Sequence, residues 1–156
     1  VWLACALLPL QLVTTLQSAP DFFSYANRVF VSPPQLHRVV ADSSLDWGHD
    51  LPRIQQALAL RPNARIVVAT WPHLDFRPYG LSSPSWWSAA PETIRAADWI
   101  VISAGVLHDS AHCHTSLSRS FEPLEPDAFA TPAAPMFSLQ RPEVRRAVEA
   151  ALAQRP

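Results

Sequence analysis

DSSLDWGHDLPRIQQALALRPNARIVVAT, residues 42–70, is the stretch that decides the fold. Its first nine residues crowd three carboxylates, an indole and one of the chain's three glycines together, so they read as a turn. Before the turn lies a short apolar run, residues 38–41, which reads as a strand. After it Leu51, Ile54, Ala57 and Leu58 recur at helical spacing and share one face, so the helix packs one side on a sheet. Pro52 fits a helix only in its first turn, which makes Asp50 the expected N-cap. Pro62 and Asn63 end the helix, and residues 64–70 form a β-branched run bounded by turn residues, the mark of a buried strand. Strand, turn, helix and strand in that order form the unit of a layered α/β fold.

The rest of the chain repeats the alternation more loosely. Pro72, Pro78, Pro84 and Pro91, with Tyr79-Gly80 and Trp86-Trp87 among them, make residues 71–91 an aromatic loop without long regular elements. A helical turn is expected at residues 94–97 and a third apolar strand at 98–103. A polar stretch, 108–119, and a proline-rich one, 123–135, lead to a last strand at 136–139. Pro142 then opens a helix, PEVRRAVEAALAQ, with Glu143 favourably placed in its first turn. The expected architecture is α/β, a small and mostly parallel sheet with flanking helices.

At 156 residues, 49% hydrophobic and 16% charged, the chain suits one modest domain with an apolar excess. All twelve basic residues are arginine, spread evenly, and the net charge of −1 leaves no electrostatic footprint for a nucleic-acid partner. The excess sits in residues 1–16, VWLACALLPLQLVTTL, which carry no charge. A spanning helix needs about 20 apolar residues, so this run alone is too short to cross a bilayer. Three readings compete: the exit of a transmembrane helix, the remains of a secretory signal and a buried core helix. Pro9 and the missing basic start favour the membrane exit. Phe22, Phe23, Tyr25 and Phe30 follow at the place where an interfacial aromatic belt would lie, and no basic residue intervenes before Arg28, which leans towards the non-cytoplasmic side. The expected division is therefore the end of a transmembrane helix at 1–17 and an extracytoplasmic α/β domain at 18–156. Because Val1 is not a methionine, the chain reads as a piece of a longer protein.

Several constellations carry chemistry on paper. His108, Asp109, His112, Cys113 and His114 are ligand types that zinc takes, but their spacing matches no finger and three of them are too close to converge, so no metal is expected. Ser103-Ala104-Gly105 lacks the glycine two residues before the serine of a nucleophile elbow. Three glycines exclude both glycine-rich nucleotide loops, and no cofactor is expected. Asp42, Asp46 and Asp50 have two readings, acid/base or cation chemistry on one side and backbone capping on the other. Capping is the expectation as regards catalysis, and a binding role for Asp42, Asp46, Trp47, Asp50 and Tyr79 stays open.

The segments YANRVF, residues 25–30, and DSSLDWGHDLPRIQQAL, residues 42–58, resemble the region just after the last transmembrane helix of bacterial lipid-carrier-dependent membrane glycosyltransferases. These belong to the GT-C type, which includes dolichyl-phosphate-mannose and aminoarabinose transferases. The chain departs from the family's form at Ser43-Ser44, where a serine-asparagine pair is usual, and at His49, where glutamine is. Tyr79-Gly80 and Ile102-Ser103-Ala104 fall where similar proteins have like residues. The resemblance implies a multi-spanning enzyme of the bacterial cell membrane that uses a polyprenyl-phosphate-linked sugar, with its transmembrane body upstream and this domain on the periplasmic or outer face. It places the catalytic carboxylate in an upstream loop, so it carries no catalytic residue onto this sequence. The other reading is a free-standing exported α/β binding or scaffold domain without catalysis.

Overall fold

The computed structural model describes residues 2–16, 50–70, 76–108 and 116–155. Helix α1 (Trp2–Leu16) stands first. Helix α2 (Leu51–Ala59) leads into strand β1 (Ile66–Ala69), then a 3₁₀ turn at Arg77–Tyr79 and a short helix α3 (Pro91–Arg95). Strand β2 (Trp99–Ile102) is followed by the short helices α4 (Ala104–Leu107) and α5 (Ser116–Phe121). A hairpin of β3 (Ala128–Thr131) and β4 (Ala134–Ser138) and the closing helix α6 (Pro142–Ala153) complete the order.

The fold is α/β, a four-stranded sheet in the order β1-β2-β4-β3 with flanking helices. Strands β1 and β2 pair in parallel with Val67 opposite Ile100, whereas β4 runs antiparallel to both β2 and β3. The sheet is thus mostly antiparallel, where a mostly parallel one was expected. The reason lies in the proline-rich stretch: Pro132 and Ala133 alone join β3 to β4, and two residues connect only antiparallel neighbours. Pro135, which cannot donate to a ladder, sits where the β3–β4 register shifts between Phe129 and Thr131. The expected strand at 38–41 lies outside the described residues.

Alternation along the strands builds two apolar layers. Ile66, Val68, Val101 and Met136 face Leu51, Ile54 and Leu58 of α2, together with Phe76 and Leu81. Val67, Ile100, Ile102 and Phe137 face the other way, onto Ile94, Leu117, Phe121, Val144 and Val148. Burial on both faces explains why β1 and β2 read as unbroken apolar runs. Phe121 meets Phe137 edge to face at 5.2 Å between ring centres, which ties α5 to β4. Helix α5 arises inside the stretch read as polar, because two short turns bury only Leu117, Ser118 and Phe121. At the amino ends of the parallel pair, Asp98 accepts the Arg65 backbone N–H at 2.9 Å and its guanidinium at 3.1 Å, fixing the stagger of β1 on β2.

Helix α1 takes no part in either layer among the described residues. Its side chains Leu7, Leu8, Leu10, Leu12, Val13 and Leu16 are exposed, Leu8 at 69%. No helix among the described residues is long and apolar enough to cross a membrane.

Candidate functional site

In an α/β sheet the crevice at the carboxyl ends of parallel strands is the usual place for a ligand. Here each of three strands runs out into a hydroxyl residue: IVVA into Thr70, WIVI into Ser103, and AFAT ends on Thr131 itself. The register sets them in one row. Ala69 lies opposite Ile102, Val101 opposite Met136 and Ala134 opposite Thr131, so Thr70, Ser103, Ala134 and Thr131 follow one another across the sheet end. All three hydroxyl residues are buried, at 1%, 4% and 4% exposure. Ser103 continues the ladder, donating its N–H to Ala69 at 2.9 Å, and its extended backbone starts α4. Thr70 Oγ1 is buried with no hydrogen-bond partner among the described residues, while its carbonyl accepts the Trp87 indole N–H at 3.1 Å.

Asp50 joins this row from above. The Thr131 hydroxyl donates to its Oδ2 at 2.7 Å, and the Ala133 N–H in turn donates to Thr131 Oγ1 at 3.3 Å. Asp50 was expected to cap α2 with its side chain, and it does not. Its own φ and ψ are already helical, −81° and −12°, so its carbonyl rather than its carboxylate receives the Arg53 and Ile54 N–H groups. A capping residue needs extended backbone to turn its side chain onto those groups. The carboxylate is released to reach β3 instead.

Of the other expected binding residues, Asp42, Asp46 and Trp47 lie outside the described residues. Tyr79 is far more open, 43% exposed on the 3₁₀ turn. That turn ends on Gly80 in the left-handed region, φ +73°, and is tied to α2 where Gln55 Nε2 donates to the Gly80 carbonyl at 3.0 Å. Tyr79 and Asp50 are therefore both held by α2, one beside its middle and one at its start. Within the histidine-rich loop only His108 is described, its Nδ1 3.6 Å from Glu122 Oε1; Asp109, His112, Cys113 and His114 lie outside. Among the described residues no group of three or more histidine, cysteine or acidic side chains is placed to hold a metal ion.

No motif in the sequence marks Thr70 or Thr131 as site residues, and Ser103 fits only an incomplete nucleophile elbow and a loose family resemblance. The signal was present, since each ends an apolar strand with a hydroxyl. Chemically the row offers hydroxyl donors and acceptors beside one carboxylate.

No protein-family model matches the chain, and neither the curated proteins nor the solved structures compared with it include a match.

Proposed function

We propose that this chain is the accessory extracytoplasmic domain of a bacterial membrane glycosyltransferase that uses a polyprenyl-phosphate-linked sugar, with catalysis residing in a transmembrane body elsewhere in the same protein. The resemblance of residues 25–30 and 42–58 to the lipid-carrier-dependent transferases motivates the reading. The observation that carries it is the character of α1.

At about 100° per residue, the exposed Leu7, Leu8, Leu10, Leu12, Val13 and Leu16 point into every quadrant around the helix axis. A helix lying in a membrane interface keeps a polar face, and a helix seated in a protein groove keeps one apolar stripe. Helix α1 has no single apolar stripe, its polar residues are limited to Gln11, Thr14 and Thr15, and residues 1–16 hold no charge. Lipid, or a bundle of other apolar helices within lipid, is the surrounding that satisfies all its sides. Its 15 residues rise roughly 22 Å, short of a hydrocarbon core of about 30 Å, so the reading requires further apolar chain before Val1.

In this reading the domain faces the periplasm or cell exterior, its partners are the transmembrane body and the membrane, and the lipid-linked sugar passes nearby. The coding sequence upstream of Val1 supplies the test. A series of apolar spans with an acidic residue in the first outer loop is the expected result; a start codon within a few residues of Val1 would leave the free-standing exported domain in its place.

A further inference from the structure

Away from the polar row, the opposite end of β1 has an open edge. Arg65 and Ala69 turn their backbone groups towards β2, since Arg65 O accepts the Trp99 N–H at 3.2 Å and Ala69 O accepts the Ser103 N–H at 2.9 Å. By alternation Ile66 and Val68 turn theirs to the outer edge. Val68 is paired there: its N–H donates to Pro84 O at 3.0 Å and its carbonyl accepts the Trp86 N–H at 2.8 Å, a parallel bridge centred on Ser85.

The next step of that ladder would bring the N–H of residue 84 onto Ile66 O and the carbonyl of Ser82 onto the Ile66 N–H. Residue 84 is proline and has no N–H to give. The ladder stops at Val68, and on this edge the Ile66 N–H and carbonyl meet no partner among the described residues. The 82–84 segment diverges from β1 and leaves a cleft of about 420 Å³. Ile66 and Val67 form one side of it, Ser82, Ser83 and Pro84 another, and Thr93 of α3 a third.

We propose that this cleft binds a short extended peptide, which adds itself in parallel to the open half of β1's edge. The choice of ligand follows from Ile66 presenting a donor and an acceptor on the same side. A secondary trans amide such as an acetamido group points its N–H and its carbonyl in opposite directions, so it satisfies only one of them. An extended chain satisfies both, with the carbonyl of one residue and the N–H of the residue two places on. Three such residues span roughly 10 Å, and Pro84 closes the cleft beyond them. Ser82, Ser83 and Thr93 are hydroxyl residues among the lining, where the peptide's outward groups need partners. Arg65 at the rim is already paired with Asp98, so the cleft has no call for a charged ligand.

The test is amide-resolved NMR on the whole chain, titrated with a blocked trialanine peptide at millimolar concentration. Saturable shifts at Ile66, Val67 and Thr93 are expected, with the Ile66 amide exchanging about 100-fold faster than that of Val68 in free protein. Two variants separate the causes. Pro84→Ala restores an N–H that lets the 82–84 segment pair with Ile66, and Thr93→Trp fills the cleft from an exposed position on α3. Both should abolish the shifts, and Pro84→Ala should also slow Ile66 exchange. Ile66 protected as fully as Val68 in the unchanged chain would overturn the proposal. So would shifts that are absent, that persist in both variants, or that a methyl glycoside produces where the peptide does not.

Discussion

The hydroxyl of Thr131 donates to Asp50 Oδ2 at 2.7 Å, joining the end of β3 to the start of α2 across 81 residues of sequence. Both residues are buried, so water replaces neither partner readily. Asp50→Ala strips the acceptor from a buried hydroxyl, and Thr131→Val strips a donor from a buried carboxylate; each should lower unfolding free energy by about 2 kcal/mol. Asp50→Asn keeps an acceptor oxygen and should lose less than about 1 kcal/mol. Urea midpoints at constant m measure this directly. Equal losses for Asp50→Asn and Asp50→Ala would show that the corner needs the charge rather than the hydrogen bond.

Gly80 fixes how Tyr79 is presented. Its φ of +73° is open to glycine and strained for other residues, and a Cβ there would lie 2.9 Å from Gln55 Nε2. Gly80→Ala should therefore break the Gln55 to Gly80 bond and destabilise by about 1 kcal/mol. The flexible Gln55 side chain can swing away, so the chain still folds. In the double variant with Gln55→Ala the bond is already gone, and only the backbone strain should remain. A Gly80→Ala protein as stable as its parent would show that the turn relaxes and does not hold Tyr79.

Where pattern and burial coincide, the fold was legible. Leu51, Ile54 and Leu58 face the sheet as their spacing requires, the apolar runs around Val67 and Ile100 are strands, and Pro142 opens α6. What the pattern hid was pairing. Pro132 and Pro135 make residues 123–135 look like loop, yet one sits in a hairpin turn and the other at a register shift, the two places in a sheet that tolerate proline. Without that hairpin the last strand had no reason to run antiparallel. The candidate row was hidden for a related reason. Thr70, Ser103 and Thr131 are ordinary strand ends in sequence, and only the register shows them as neighbours. Asp50 was legible as important but not in its role, because capping geometry depends on a backbone angle that composition does not reveal.

Acid should loosen two of the surface clamps, Arg65 with Asp98 and Arg95 with Glu149. The Arg65 guanidinium, aided by the Arg65 backbone N–H, holds the Asp98 carboxyl below its ordinary range, and Arg95 does the same to Glu149. A carboxylate lowered in the folded state adds stability that is complete above the unfolded value and is lost as pH falls through the folded one. Stability should therefore decline as pH drops through the carboxylate range, and Asp98→Asn should flatten part of that decline. Both pairs are solvent-exposed, so the effect is small and should fade in 1 M salt, where the screening length is about 3 Å. An acid limb unchanged in Asp98→Asn would assign the decline to other groups.

Deleting residues 1–17 distinguishes a membrane element from a structural one. Neither apolar layer of the sheet draws a described side chain from α1, so the shortened chain should keep its unfolding free energy within about 0.5 kcal/mol of the full chain. Leu7, Leu8, Leu10 and Leu12 each leave roughly half or more of their surface uncovered, and each should add about 1.5 to 3 kcal/mol of drive into an apolar phase. The full chain should accordingly float with neutral phosphatidylcholine vesicles and the shortened chain should not. Neutral lipid matters here, because residues 1–16 have no charge and the attraction must survive without an anionic headgroup. Charged substitutions divide the remaining possibilities. A helix surrounded by lipid loses flotation when Leu8 or Val13, on opposite sides of the axis, is changed to Arg. A helix that docks by one stripe responds to only one of them. A large loss of folded stability on deletion would instead make α1 part of the domain's own packing and remove the observation on which the membrane reading rests.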